Sequence, residues 1–224
     1  MKKLCVSLTE RTAKKCMEFM SSTEADMVEH RLDFMDRIER LEEIYRATEK
    51  PIIVTCRSRE NGGLFDGNEE QRIRNLLMAM AGGASYVDVE IETDSAHLEL
   101  VREQTSRMEC GLIVSKHYHD STPNEADLLS MVVSLGSAKP DIIKLVTTPK
   151  TKDDCRRILR LYDQENRPNL PLIAFGMGPL GRFTRVCALF LGAPFMYVSQ
   201  DHGEVAAPGQ ISLSEMRKIL EVLP

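Results

Sequence analysis

The chain has 224 residues, of which 42 % are hydrophobic and 28 % charged, and its formal net charge at pH 7 is −5. This length suffices for one large α/β domain or two small ones. The acidic balance argues against a nucleic-acid partner, and no apolar run approaches the roughly 20 residues that cross a bilayer. A strand-like segment, not a signal-peptide core, follows Met1-Lys2-Lys3, so we expect a cytoplasmic protein without membrane partners.

The predicted elements alternate along the whole chain. Eight short apolar segments predict β-strands, at residues 4–8, 26–31, 52–56, 86–91, 111–116, 141–146, 172–176 and 195–199. An amphipathic stretch follows each strand, and the clearest helices are predicted at residues 98–108, 125–135, 153–162, 182–191 and 213–223. Residues suited to helix N-termini precede several of them, namely Ser95, Asn124, Thr151 and Ser212.

Eight strand–helix repeats favour a closed (β/α)8 TIM barrel that occupies residues 1–224 as a single domain. The competing architecture is an open doubly wound sheet, which normally carries a glycine-rich loop after its first strand. Here Leu8-Thr9-Glu10-Arg11 follows that strand and contains no glycine. The barrel therefore remains the better prediction, and it places function at the carboxyl ends of the strands.

The cysteines carry no sign of a metal site or of a disulfide framework. The six are scattered, and no two stand at C-x-x-C spacing: Cys5, Cys16, Cys56, Cys110, Cys155 and Cys187. We expect reduced, structural thiols and no metal, although His117 and His119 share one strand face and leave zinc as a weak alternative.

Lys144 stands in the middle of a strand that reads as buried, Asp141-Ile142-Ile143-Lys144-Leu145-Val146. Lysine is rarely buried unless it is paired or has a chemical role. Burial disfavours the ammonium form, and a neutral amine can attack a carbonyl to form a Schiff base. Alternatively, the side chain reaches water from a strand end. Asp88 and Glu90, on one face of the fourth strand, can be interior structural charges.

Seven segments, in order and over nearly the whole chain, resemble motifs of type I 3-dehydroquinate dehydratases. They are Val6-Ser7-Leu8; Glu29-His30-Arg31-Leu32-Asp33; Thr55-Cys56-Arg57-Ser58 with Gly62-Gly63; Val114-Ser115-Lys116-His117 with Thr122-Pro123; Asp141-Ile142-Ile143-Lys144; Gly176-Met177-Gly178 with Thr184-Arg185; and Ala207-Pro208-Gly209-Gln210. Residues 65–72 and 86–90 look most like the form that is fused to shikimate dehydrogenase.

The resemblance implies a (β/α)8 barrel that dehydrates 3-dehydroquinate to 3-dehydroshikimate in the shikimate pathway, with no metal or organic cofactor. Lys144 would form the Schiff base, and His117 would act as general base and then general acid. Arg185 would clamp the substrate carboxylate bidentately. The other expected substrate contacts are Ser7, Glu29, Arg31, Arg57 and Gln210, with the Tyr197 ring against the substrate.

Two positions depart from the family pattern. Asn61 stands where the family usually has a glutamate that orients the histidine, and Glu60 lies one residue earlier. Ala206 replaces a frequent serine four residues before Gln210. These departures leave open a catalytically silent homologue that only binds ligand. Another class I Schiff-base, aldolase-like barrel enzyme is a further alternative, against which the His117 and Arg185 segments argue. A homodimer and fusion to a shikimate dehydrogenase domain in the natural chain are also compatible with the sequence.

Overall fold

The computed structural model describes residues 2–223 and shows eight parallel strands that alternate with eight α-helices. The strands are β1 (Leu4–Leu8), β2 (Met27–Arg31), β3 (Ile52–Thr55), β4 (Tyr86–Glu90), β5 (Gly111–His117), β6 (Ile142–Thr147), β7 (Leu172–Gly176) and β8 (Met196–Val198). The helices are α1 (Ala13–Ser22), α2 (Leu41–Arg46), α3 (Glu69–Ala81), α4 (Ser95–Arg107), α5 (Glu125–Ser137), α6 (Lys152–Arg160), α7 (Gly178–Phe190) and α8 (Leu213–Val222). Short 3-10 helices span Leu32–Phe34, Arg59–Asn61 and Leu161–Asp163.

The strands form a nearly closed barrel, which confirms the predicted (β/α)8 architecture. Each strand from β1 to β7 pairs in parallel with its sequence neighbour, and β8 returns to pair with β1. Side chains close the seam between β7 and β8, where the Phe175 and Tyr197 ring centroids lie 6.4 Å apart. The alternation of strands and helices in the sequence predicts this order, in which each helix connects two neighbouring parallel strands.

The helix starts follow the predicted capping chemistry with two differences. Thr151 and Ser212 each form a capping box, and Asn124 accepts from the Asp127 backbone N–H. Asp94, rather than Ser95, caps α4 because its carboxylate accepts from two backbone N–H groups of the first turn. Helix α7 begins four residues before its predicted start, and Pro179 occupies its first turn, where proline is tolerated.

The strand register brings polar side chains to one level at the carboxyl end of the barrel. Ser7 pairs with Glu29 across β1 and β2, and Ser115 pairs with Lys144 across β5 and β6. Nearly all strand residues are buried. The apolar core includes residues of both the strands and the helices, and the polar groups lie at the carboxyl end of the strands. Within residues 2–223, no helix is long and apolar enough to cross a membrane.

Candidate active site

One cavity of about 100 Å³ opens at the carboxyl ends of the strands. Seven of the eight predicted site residues line it: Lys144, His117, Glu29, Arg31, Arg57, Arg185 and Gln210. Ser7 lies just behind, where it donates to a Glu29 carboxylate oxygen at 2.7 Å. Residues from six strands or the loops after them therefore meet at one point, as the barrel prediction requires.

Lys144 is buried at the centre of the site, with 4 % of its surface exposed. Its Nζ donates to Asp88 Oδ2 at 2.7 Å and lies 3.8 Å from Glu29 Oε1. It also lies 4.1 Å from the centroid of the Tyr197 ring. The amine is therefore shielded from bulk solvent and held by a carboxylate at the edge of the cavity, rather than extended toward water.

His117 ends β5 and faces the same cavity. Its Nδ1 is buried and has no hydrogen-bond partner within residues 2–223. Burial, together with the positive charges of Arg57 and Lys144, holds the pKa of His117 well below its usual value of 6.5, although Asp88 opposes this shift. The imidazole is thus neutral near pH 7 and can accept a proton.

Asp88 on β4 connects the cationic residues of the site. Its Oδ1 accepts from Arg57 Nη2 at 3.0 Å and from the Ser115 hydroxyl at 2.6 Å, while Oδ2 accepts from Lys144. Although burial raises the pKa of Asp88, the Arg57 and Lys144 charges outweigh burial and hold that pKa below its usual range. Arg57 also pairs with Glu90 at 2.7 Å, so both acidic residues of β4 serve the site.

A second carboxylate, Glu29, organises the opposite wall. It accepts from the Ser7 hydroxyl and, at 3.1 Å, from the Thr55 hydroxyl. Gln210 donates from Nε2 to Ser7 Oγ at 3.0 Å, which ties the loop after β8 to β1. The Gln210 Oε1 and the Tyr197 hydroxyl are buried without a partner in residues 2–223, so both remain available to a ligand.

Arg31 is largely engaged by protein groups. Its guanidinium forms a bidentate pair with Asp33, at 2.9 and 2.7 Å, and donates from Nη1 to the Ala206 carbonyl at 3.3 Å. The Ala206 contact comes from the backbone, so the replacement of serine leaves it intact. Arg31 thereby anchors residues 206–210 over the cavity as well as lining its wall.

Arg185 on α7 differs from Arg31 in the hydrogen bonding of its guanidinium. Its residue is 1 % exposed, yet none of its three guanidinium nitrogens has a hydrogen-bond partner within residues 2–223. It lies 4.1 Å from the Phe175 ring centroid. Burial lowers its pKa to about 9 against a usual 12.5, which leaves it charged at neutral pH. A buried cation without a counter-ion, facing a cavity, is suited to bind an anion.

Asn61 and Gly62 form the rim near His117, whereas Glu60 is exposed and lines a neighbouring cleft. The Asn61 side chain donates to the Ser58 hydroxyl at 3.2 Å. No group of three or more His, Cys, Asp or Glu side chains in residues 2–223 is placed to hold a metal ion.

The sequence did not lead us to assign Asp88 or Phe175 to the site, and it offered His119 only as a rival base to His117 or a solvent-facing neighbour. The Asp88 signal was available, because two acidic residues alternate on an otherwise apolar strand. Phe175 carried no signal, since an aromatic residue in a buried strand is ordinary core.

The fold and site define a barrel enzyme with a buried amine, a neutral imidazole and an unpaired guanidinium around one cavity. The sequence profile described as type I 3-dehydroquinase matches residues 4–224. The chain is 35 % identical over 224 residues to 3-dehydroquinate dehydratase of Desulfotalea psychrophila, covering 100 % of this chain and 99 % of the relative. The chain therefore belongs to the type I 3-dehydroquinase family.

Solved structures agree with this assignment. The 3-dehydroquinate dehydratase of Geobacillus kaustophilus is 26 % identical, with a TM-score of 0.89, and the match covers 100 % of this chain and 91 % of that one. A structure of dehydroquinate dehydratase and shikimate dehydrogenase from S. pombe is 25 % identical with a TM-score of 0.85. That match covers 100 % of this chain and 46 % of the longer one, as expected for one part of a fused polypeptide.

Proposed function

We propose that this protein dehydrates 3-dehydroquinate to 3-dehydroshikimate in the shikimate pathway, through a Schiff base on Lys144 with His117 as general base and acid. The observation that carries the proposal is the meeting of three groups on one cavity: the buried Lys144 amine, the neutral His117 ring and the unpaired Arg185 guanidinium. Family membership supplies the substrate class.

The first step forms the imine. The Lys144 ammonium loses a proton, and the neutral His117 ring on the same cavity is the available acceptor. The free amine adds to the substrate ketone, and His117 then returns its proton to the hydroxyl of the adduct, which departs as water and leaves an iminium beside a neutral His117 ring. The Asp88 carboxylate, 2.7 Å from Nζ, stabilises the positive nitrogen throughout.

The second step is elimination. The iminium acidifies the adjacent C–H bond, and the unprotonated His117 ring removes that proton to give an enamine. The enamine expels the hydroxyl on the same face, and His117 returns the proton so that water departs. Hydrolysis of the unsaturated imine then frees Lys144 and releases product.

The remaining groups bind the substrate in this proposal. Arg185 pairs with the carboxylate, which gives its guanidinium the partner that it lacks in the protein alone. Ser7, Glu29, Arg31, Arg57 and Gln210 position the hydroxyl groups, while Tyr197 packs against the ring.

Borohydride trapping tests the chemistry directly. Incubation with 3-dehydroquinate and reductant should add covalent mass to Lys144, and Lys144→Ala should abolish this addition. Lys116→Ala, on the neighbouring strand β5, is the matched control. His117→Ala should still be trapped but lose turnover by about 10²–10⁴-fold. An unlabelled wild-type protein would support a silent ligand-binding homologue, and labelling by sugar phosphates alone would support an aldolase-like enzyme.

We also propose a cytoplasmic location, supported by the free cysteines of residues 2–223, of which five are buried. The organisation of residues 1–224 as a single domain, homodimer formation and fusion to a shikimate dehydrogenase domain stay predictions. Size-exclusion chromatography with light scattering distinguishes the monomer from the dimer.

A further inference from the structure

A second imidazole, His119, lies against the proposed base. The His117 and His119 ring centroids are 6.1 Å apart, and the ring planes differ by only 13°. His117 is the last residue of β5 and His119 follows it by two positions, and the nearly parallel rings place both side chains on the same side. His119 also lines the cavity, but it is exposed to solvent whereas His117 is only partly so.

Gly62 supports the His119 ring from the loop after β3. Its φ of +77° is a left-handed conformation that favours glycine, and a Cβ at this position would lie 2.7 Å from His119 Cε1. A larger residue would therefore push the ring from its place. The backbone at Gly62 and the His117 ring thus define the position of His119.

No protein hydrogen bond fixes the Nδ1 side of His117 within residues 2–223. Both Asp88 oxygens are engaged by other groups, and the Asn61 amide donates to Ser58. Glu60 is exposed and faces the neighbouring cleft. The stacked ring of His119 is therefore placed to hold the plane of the proposed base.

We propose that His119 is a positioning residue that acts through His117, an inference that rests on the proposed function. The His119 ring holds the His117 ring in the plane needed for proton transfer. The His119 imidazole also contributes to the electrostatic environment that keeps the His117 ring neutral.

The groups that face His117 come from four strands or the residues that follow them: Arg57, Lys144, Asp88 and His119. Burial first, then Arg57 and Lys144, lower the pKa of His117; Asp88 raises it and His119 lowers it further. Of these neighbours, His119 is the exposed one, so its imidazole can be replaced without leaving a buried charge unpaired.

The pH profile of kcat/KM separates this role from a structural one. His119→Phe keeps a ring and removes the imidazole that lowers the pKa of His117. Turnover at pH 8 should therefore stay within about twofold, while the acidic limb moves up by about 0.5 pH unit, the size of a unit-charge interaction across about 6 Å in a water-like dielectric. His119→Ala removes the ring, and kcat should fall about tenfold with KM nearly unchanged. His97→Phe, outside the cavity, should leave both unchanged.

A His119→Phe profile that superimposes on the wild-type profile, or wild-type kcat in His119→Ala, overturns the inference. If His119→Ala does not fold, as circular dichroism would reveal, the His119→Phe profile decides alone. The His117→Ala variant separates failure of the proposed function from failure of the role proposed for His119. Full turnover in His117→Ala would remove the proposed base itself, whereas an inactive His117→Ala with unaffected His119 variants rejects only the role of His119.

Discussion

Lys144 and Asp88 form a buried ion pair, with Nζ 2.7 Å from Oδ2 and neither side chain more than 5 % exposed. The same carboxylate binds Arg57, so one anion on β4 serves two cations from β3 and β6. This arrangement explains how an amine can stay inside the barrel before substrate arrives: its charge is compensated without access to water.

Asp88→Asn should destabilise the protein by about 3–5 kcal/mol at pH 7, because it leaves two buried cations without their shared anion. Urea denaturation measures this difference, and Glu92→Gln, whose partner is the partly exposed Lys116, is the control with little effect.

The pH dependence sharpens the Asp88 test. The pKa of Asp88 is lower in the folded protein than in the unfolded chain, where it is about 3.9. Its contribution is therefore present above that pH and declines as the pH falls below it. The stability gap between wild type and Asp88→Asn should narrow below about pH 4, and a gap constant down to pH 2 would contradict the assignment.

Arg185→Leu should separate binding from stability. In the protein alone, Arg185 is a buried cation without hydrogen-bond partners, so leucine should leave the free energy of unfolding unchanged or increase it. With substrate, loss of the bidentate carboxylate pair should lower kcat/KM by about 10²-fold. Arg182→Leu, an exposed position on the same helix, is the control for both measurements. A variant that unfolds more easily and still binds substrate normally would contradict the proposed clamp.

The residue types of the site were predictable, but their pairing was not. Lys144, His117 and Arg185 each followed from short local motifs: Lys144 lies within a predicted strand, His117 directly after one, and Arg185 near the start of a predicted helix. The Asp88–Lys144 pair joins β4 and β6, which lie on either side of β5, and no local pattern encodes this contact between strands that are not neighbours. The lack of a partner for Arg185 is likewise a property of the whole site.

The helix boundaries illustrate the same limit. Thr151 and Ser212 marked helix starts correctly because capping depends on a few adjacent residues. Helix α7 was predicted to begin four residues too late. Its residue Gly181 packs against Gly176, where a Cβ would lie 2.3 Å from the Gly176 carbonyl carbon. That close approach of helix to strand, which positions Arg185, is visible only in three dimensions.

The wild-type enzyme should keep its activity well below pH 6.5. Burial and the charges of Arg57 and Lys144 lower the pKa of His117, so the neutral, proton-accepting ring persists as the pH falls from 8 toward 6. The profile of kcat/KM between pH 4 and 9, measured by product absorbance, should be flat above pH 6.5 and decline only below it. A half-maximal rate already near pH 7 would mean that the base titrates like an exposed histidine.

Another buried histidine, His30 on β2, has a structural role outside the active site. The His30 ring is fully buried, with Nε2 3.6 Å from Cys16 Sγ and Nδ1 3.2 Å from the Tyr45 hydroxyl. Burial lowers its pKa to about 4, although Asp33 opposes the shift. Cys16 has a pKa raised by burial to about 12 and is an unreactive thiol. The triad is therefore a polar contact within the core rather than a second reactive centre.

His30→Gln should flatten the acid side of the stability curve. Below about pH 6.5 the unfolded chain protonates His30 while the folded protein does not, so stability falls as the pH decreases toward 4. The full effect is about 3 kcal/mol, because a tenfold difference in proton affinity between the two states corresponds to about 1.4 kcal/mol. Glutamine can still donate to or accept from Tyr45 but does not titrate, so urea midpoints of the variant should depend less on pH between 6.5 and 4. His202→Gln, at an exposed position, should retain the wild-type slope, and equal slopes in wild type and His30→Gln would show that the buried ring is not the group responsible.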